Sequence, residues 1–258
     1  MLRPRIIPCL LIRDGGLVKT VRFTDAKYVG DPINAVKIFN EKQSDELAVL
    51  DIDATGYGRE PDFKMIGRLA VECRMPLCYG GGVRTAQQAA RIIALGVEKV
   101  AVSSAAIARP ALLREIAQEV GAQSVVLVLD VRRRRPGGYE VFTHNGRRAT
   151  RIDPVQLAAQ AHTLGVGELV INSIDADGAM SGYDLELATA IRAATRLPMT
   201  MLGGAGSLAD IARLFGACGV LGAAAGSLFV FKGAYRAVLI NYPSQEQRDE
   251  LARSIVYP

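Results

Sequence analysis

Two glycine-rich segments carry the first chemical signal. GGGVRTAQQAARIIALGV at 80–97 returns as GGAGSLADIARLFGACGV at 203–220, offset by 123, with seven of 18 positions identical. IDATG at 52–56 returns as IDADG at 174–178, offset by 122. Gly80, Gly81 and Gly82, and Gly203, Gly204 and Gly206 in the second copy, let backbone N–H groups approach an oxyanion closely. The helix that follows each adds a partial positive charge. A serine ends the next apolar run in each copy, Ser104 and Ser227. Two related phosphate cradles imply an elongated ligand with a phosphate at each end.

A second signal is negative. RIIPCLLIRDGGLVKT (5–20) reads as an apolar strand running into a turn and on towards Lys19. The end of such a strand suits a catalytic acid or base, yet Leu11 and Ile12 stand there. Leucine has no proton to exchange.

Other chemistries find little support. Cys9, Cys73, Cys78 and Cys218 fit neither a zinc site nor a disulfide framework, and read as reduced thiols of a cytoplasmic protein. His144 and His162 have no acidic or cysteine cluster beside them, so no metal site is expected. No cofactor is expected either. No apolar run approaches the ~18 residues a membrane span needs. The net charge of +5 suits an anionic small ligand. Part of it lies in Arg132–Arg135, read as a solvated loop. Without interleaved aromatic residues that run gives no case for nucleic acid.

The elements that must position these residues alternate. Apolar runs at 5–12, 46–53, 76–80, 99–104, 124–131, 168–175, 198–202 and 220–225 lack polar alternation, as parallel strands buried on both faces do. Pro8 conflicts with a central position for the first. Helical patterns occupy 31–43, 62–74, 85–95, 108–119, 153–164, 184–196, 207–216 and 235–240, with Thr85, Asp153, Asp184 and Ser207 as N-caps. YEVFTHNGRRATRI (139–152) alternates around Asn145-Gly146, a strong hairpin signal. Eight strand–helix units in one chain match a (β/α)8 TIM barrel, and the alternation also fits a doubly wound sheet. The repeat divides the single domain 1–258 into half-barrels, about 1–121 and 122–245, with a C-terminal tail at 246–258.

RIIPCL, GDP (30–32), LDI (50–52), GGG, EVFTHNG, SIDADG, SGYD and GGAG together resemble the cyclase subunit of imidazole glycerol phosphate synthase, HisF, over nearly the whole chain. The resemblance implies a barrel that docks a HisH-like glutaminase at its bottom face. Ammonia would pass through the barrel to a bis-phosphorylated precursor at the top. It implies two catalytic aspartates. One matches Asp130; the other falls on Leu11. Asp14 lies three residues further on and Asp53 is another nearby carboxylate. Ser103, Asn172 and Leu202 also depart from the usual top-face residues.

The positions expected to bind the phosphorylated ligand are Lys19, Gly81, Gly82, Ser103, Ser104, Asp177, Gly178, Gly203, Gly204, Gly226 and Ser227. The ring of charges at the ammonia entrance matches Arg5, Glu46, Lys99 and Glu168. An entrance kept while the acid–base pair is broken resembles a divergent, WbuZ-like branch associated with amidation of surface polysaccharide sugars. There the barrel would act with a glutaminase and a sugar amidotransferase. Two other readings stay open: a working cyclase of histidine synthesis with a replaced base, and a non-catalytic subunit that only activates the glutaminase.

Overall fold

The computed structural model describes residues 3–233, 235–253 and 255. Eight parallel strands form a closed ring: β1 (Arg5–Arg13), β2 (Leu47–Asp51), β3 (Leu77–Gly80), β4 (Lys99–Val102), β5 (Val125–Arg133), β6 (Glu168–Ser173), β7 (Met199–Leu202) and β8 (Gly222–Ala225). Each pairs with the next and β8 pairs with β1, so the sheet has no barrel edge. This closure decides for the (β/α)8 barrel over the doubly wound sheet. Pro8 sits inside β1, in register with Ala225.

The strand period of two sorts the side chains. On β1, Ile6, Leu10 and Ile12 face the helices and join the main core; Ile7 and Cys9 face the lumen. On β5, Leu127 and Leu129 face out and Val126 and Val128 face in. The outer layer holds α1 (Pro32–Glu41), α2 (Phe63–Glu72), α3 (Ala86–Ala94), α4 (Ala111–Val120), α5 (Pro154–Gln160), α6 (Leu185–Ala194), α7 (Leu208–Cys218) and α8 (Gln245–Arg253). Thr85, Asp153, Asp184 and Ser207 each accept a backbone N–H in the first turn of their helix. α3 buries Ala86, Ala89 and Ile92 at helical spacing.

Four segments differ from the sequence reading. The expected helix at 235–240 is instead part of a small hairpin in which Phe231–Lys232 pairs with Ala237–Val238. Gly233, at φ +73°, supplies a turn there that a helix would exclude. Within 246–258, α8 packs on α7, while residues 254 and 256–258 lie outside the described residues. A hairpin of Gly16–Val21 and Thr24–Gly30 follows β1, its first arm antiparallel to β1. Arg132 and Arg133 extend β5 instead of lying in a solvated loop, and pair with Glu140 and Tyr139 of the second hairpin. That hairpin turns at His144, Asn145 and Gly146, all at positive φ, and stands at the strands' C-terminal end.

Candidate functional site

The lumen is built from alternate residues of all eight strands and changes character along its length. At the N-terminal ends Arg5, Glu46, Lys99 and Glu168 close a four-membered ring of ion pairs. Arg5 meets Glu46 at 2.5 Å and Glu168 at 2.6 Å; Lys99 meets them at 2.9 Å and 2.8 Å. Thr200 on β7 donates its hydroxyl to Glu168 at 2.7 Å. Burial alone would raise the Glu168 carboxyl. The hydrogen bond from Arg5 and the charges of Arg5 and Lys99 outweigh burial and hold it at about 2. The Lys99 ammonium feels the opposite balance: burial lowers it, Glu168 and Glu46 more than compensate, and its pKa is raised.

Above the ring the wall turns apolar, with Ile7, Cys9, Ala48, Cys78, Ala101, Val126, Val128, Val170 and Ala224. The space is about 20 Å3. That holds one molecule the size of water or ammonia. Cys9, Leu50, Ala101, Val128 and Leu202 line both this waist and the wide pocket above it, so the two spaces adjoin.

The upper pocket is about 140 Å3 and gathers residues from every strand. All eleven expected ligand positions line it: Lys19, Gly81, Gly82, Ser103, Ser104, Asp177, Gly178, Gly203, Gly204, Gly226 and Ser227. Two pseudo-symmetric groups lie across from one another, after β3 and β4 and after β7 and β8. Ser104 heads a short helix, Ser104–Ala108, and Ser227 heads its counterpart, Ser227–Val230. The turns demand glycine. A Cβ on Gly81 (φ +122°) would stand 2.5 Å from the Asp51 carbonyl, and one on Gly204 (φ +108°) 2.0 Å from that of Gly182.

Lys19 enters from the first hairpin. Its ammonium donates to the Cys9 carbonyl at 2.5 Å and lies directly over Gly226, where a Cβ would come within 2.3 Å of Nζ. Burial lowers its pKa. Thr20 donates to Asp177 at 2.9 Å, and the Arg22 N–H donates to the Asp177 carbonyl. The hairpin is thus tied to the loop after β6.

Asp130 stands at the inner end of the pocket. Asn172 donates Nδ2 to its Oδ1 at 3.0 Å. Burial pushes the Asp130 carboxyl up to about 7, against the Asn172 hydrogen bond and with a further rise from Asp177. Such a group gains and loses a proton near neutral pH. Ser103 Oγ and Asn172 Oδ1 are buried without a protein partner.

Across the pocket from Asp130 the wall is apolar: Leu11, Leu50 and Leu202. Of the carboxylates near the end of β1, Asp51 lines the pocket and accepts hydrogen bonds from the backbone N–H groups of Asp53 and Ala54, each at 3.0 Å. Asp14 sits in the turn and pairs with Arg59 at 3.6 Å, and Asp53 is held by Arg13 at 2.9 Å. Sequence reasoning missed Thr200, Phe23, Asn145 and Arg147. Thr200 is the one polar residue in PMTML, a signal that could have been weighed. Asn145 and Arg147 reach the site through the second hairpin, whose alternation was the available clue; Phe23 sits in the turn of the first hairpin, for which the sequence offered none. Among the described residues no group of three or more His, Cys, Asp or Glu is placed to hold a metal ion, and no helix is long and apolar enough to cross a membrane.

A closed parallel barrel with a charged ring below, an apolar waist and paired glycine turns above defines a barrel protein with its site at the C-terminal face of the strands. Residues 5–236 match the family model described as "Histidine biosynthesis protein". The chain belongs to this family, as a homologue of its HisF members. It is 55% identical over 249 residues to a Vibrio vulnificus protein named "Putative imidazole glycerol phosphate synthase subunit hisF3", covering 96% of each chain. A similarly named subunit hisF2 of Pseudomonas aeruginosa is 50% identical over 249 residues, 96% of this chain and 99% of that one. The imidazole glycerol phosphate synthase subunit HisF of Streptomyces coelicolor is 46% identical over 208 residues, 81% of this chain and 83% of that one.

Proposed function

We propose that this chain is the barrel subunit of a glutamine amidotransferase complex. A HisH-like glutaminase seats on the ring face, and ammonia travels up the lumen to an acceptor in the upper pocket. The observation that carries this reading is the layering of the lumen, from ion-pair ring to apolar waist to polar pocket. A waist without charges passes neutral ammonia and disfavours ammonium, because an ion there would lose its hydration with no partner.

The two half-barrels, about 1–121 and 122–245, each contribute one anion site. Gly81, Gly82, Ser103 and Ser104 take one phosphate; Gly203, Gly204, Gly226, Ser227 and Lys19 take the other, with Asp177 and Gly178 closing the rim. Asp130 supplies the proton transfer at the acceptor. Leu11 removes the second carboxylate that the family's ring closure uses, and with it the ~10²–10⁴-fold that a positioned acid–base group provides. The resemblance to the WbuZ-like branch implies the acceptor, a sugar of a surface-polysaccharide precursor handled together with a separate sugar amidotransferase.

A second reading, an active imidazole glycerol phosphate cyclase, is favoured by the intact Asp130 and by the likeness to the Streptomyces HisF. Arg5→Ala tests the ammonia route shared by both. It leaves Glu46 and Glu168 facing each other with only Lys99 between them. Glutamine-dependent transfer should fall while transfer from added ammonium salt persists. Equal loss of both, or no loss of either, would refute the route.

A further inference from the structure

β5 extends past the barrel rim. Its inward series is Val126, Val128 and Asp130, and the next residue with that facing is Arg132, one rung above Asp130. The Arg132 guanidinium lies over the Phe142 ring at 4.6 Å. Stacking fixes its plane and leaves the N–H edge free. Its Nη2 ends against the second hairpin's tip, 3.3 Å from where a Gly146 Cβ would stand.

That tip is anchored from both sides. Asn145 donates Nδ2 to the Ile52 carbonyl at 2.6 Å, and the His144 N–H donates to Ser104 Oγ at 3.1 Å. The anchored tip brings Arg147 to the pocket wall, exposed at its mouth. Three other arginines near the rim are ion-paired, Arg133 with Asp184 and Glu186, Arg134 with Glu140 and Arg13 with Asp53. Among the described residues Arg132 and Arg147 form no ion pair; the Arg132 guanidinium abuts Gly146, and Arg147 follows that glycine in the chain and lines the pocket. An oxyanion held at that turn would accept charge-assisted hydrogen bonds from both guanidinium groups.

We propose that Arg132 and Arg147 form a third anion subsite at the pocket mouth, for a further phosphate or pyrophosphate group on the ligand whose other anionic groups lie in the two glycine turns. The inference rests on that reading of the turns. It makes the ligand more highly charged than a bis-phosphate.

The full chain, labelled with 15N, can be titrated with inorganic pyrophosphate and its backbone amides followed. Saturable shifts are expected at Asn145–Arg148. In an Arg132→Gln/Arg147→Gln double variant the apparent affinity should fall about tenfold, the loss of roughly one charge-assisted hydrogen bond. Arg148→Gln, an exposed neighbour outside the pocket, should leave the affinity unchanged. Absent shifts at the tip, or equal weakening by Arg148→Gln, would overturn the subsite. Orthophosphate shifts at Gly82 and Gly204 test the turns separately. If those failed while the tip still responded and the double variant still lost affinity, the turns would be wrong and the mouth site would stand.

Discussion

Asp130 and Leu11 face one another across the pocket, and each has a measurable consequence. The folded protein holds the Asp130 carboxyl at about 7, above the ordinary carboxylate range, chiefly through burial. Its neutral form is therefore the favourable one. The stability this contributes is complete at acid pH and is lost as pH rises through about 7. Asp130→Asn should stabilise the protein by on the order of 1–3 kcal/mol at pH 8 and by little at pH 4. Chemical unfolding at the two pH values measures this, and equal effects at both would show that burial does not govern the group. At this scale the sequence was most informative where it broke a pattern. Leu11 is visible as a leucine where the resemblance to HisF implies an acid, and the glycine pairs are visible because they repeat. Asn172 as the donor to Asp130 could not be read, since 42 residues separate partners that only adjacent strands bring together.

Lys19 reaches the pocket because an entire hairpin folds back over the barrel. Gly178 is the point of closest approach: at φ +67°, a Cβ there would lie 2.1 Å from the Thr20 carbonyl. Gly178→Ala should push the hairpin away at a cost of about 1–3 kcal/mol. Limited trypsin digestion would then cut faster at Arg22 and Lys27, and phosphate binding would weaken with the loss of Lys19. Unchanged digestion would mean that the contact does not hold the hairpin. The eight strands and seven of the helical segments were legible because burial on both faces and helical periodicity leave strong patterns. The Gly16–Gly30 hairpin was not legible. Its second arm, Thr24–Gly30, is largely exposed and so carries no hydrophobic rhythm. The helix expected at 235–240 failed for the related reason that a short apolar run does not distinguish helix from strand.

Closure of the barrel turns four distant charges into one ring, and the ring ties global stability to pH. Glu168 is held at about 2, below the ordinary carboxylate range. A depressed carboxylate contributes stability that is present above its unfolded value and lost as pH falls through the folded one. The barrel should therefore lose on the order of 3 kcal/mol between about pH 4.5 and pH 2 from this group. Glu168→Gln should flatten that part of the stability profile, and an unchanged acid limb in the variant would remove the ring from the explanation. The alternation of strands and helices and the half-chain repeat let the barrel be read from sequence. The continuity of its lumen could not be read, because it depends on which alternate residues point inward in every strand at once. The central claim joins that lumen to the broken acid–base pair, and one assay tests it most directly. The purified chain, combined with its glutaminase and the bis-phosphorylated ribulosyl-aminoimidazole carboxamide precursor, is assayed for imidazole glycerol phosphate. The account predicts no turnover at a normal cyclase rate, and its appearance on changing Leu11→Asp; cyclisation at that rate by the unaltered chain would contradict it.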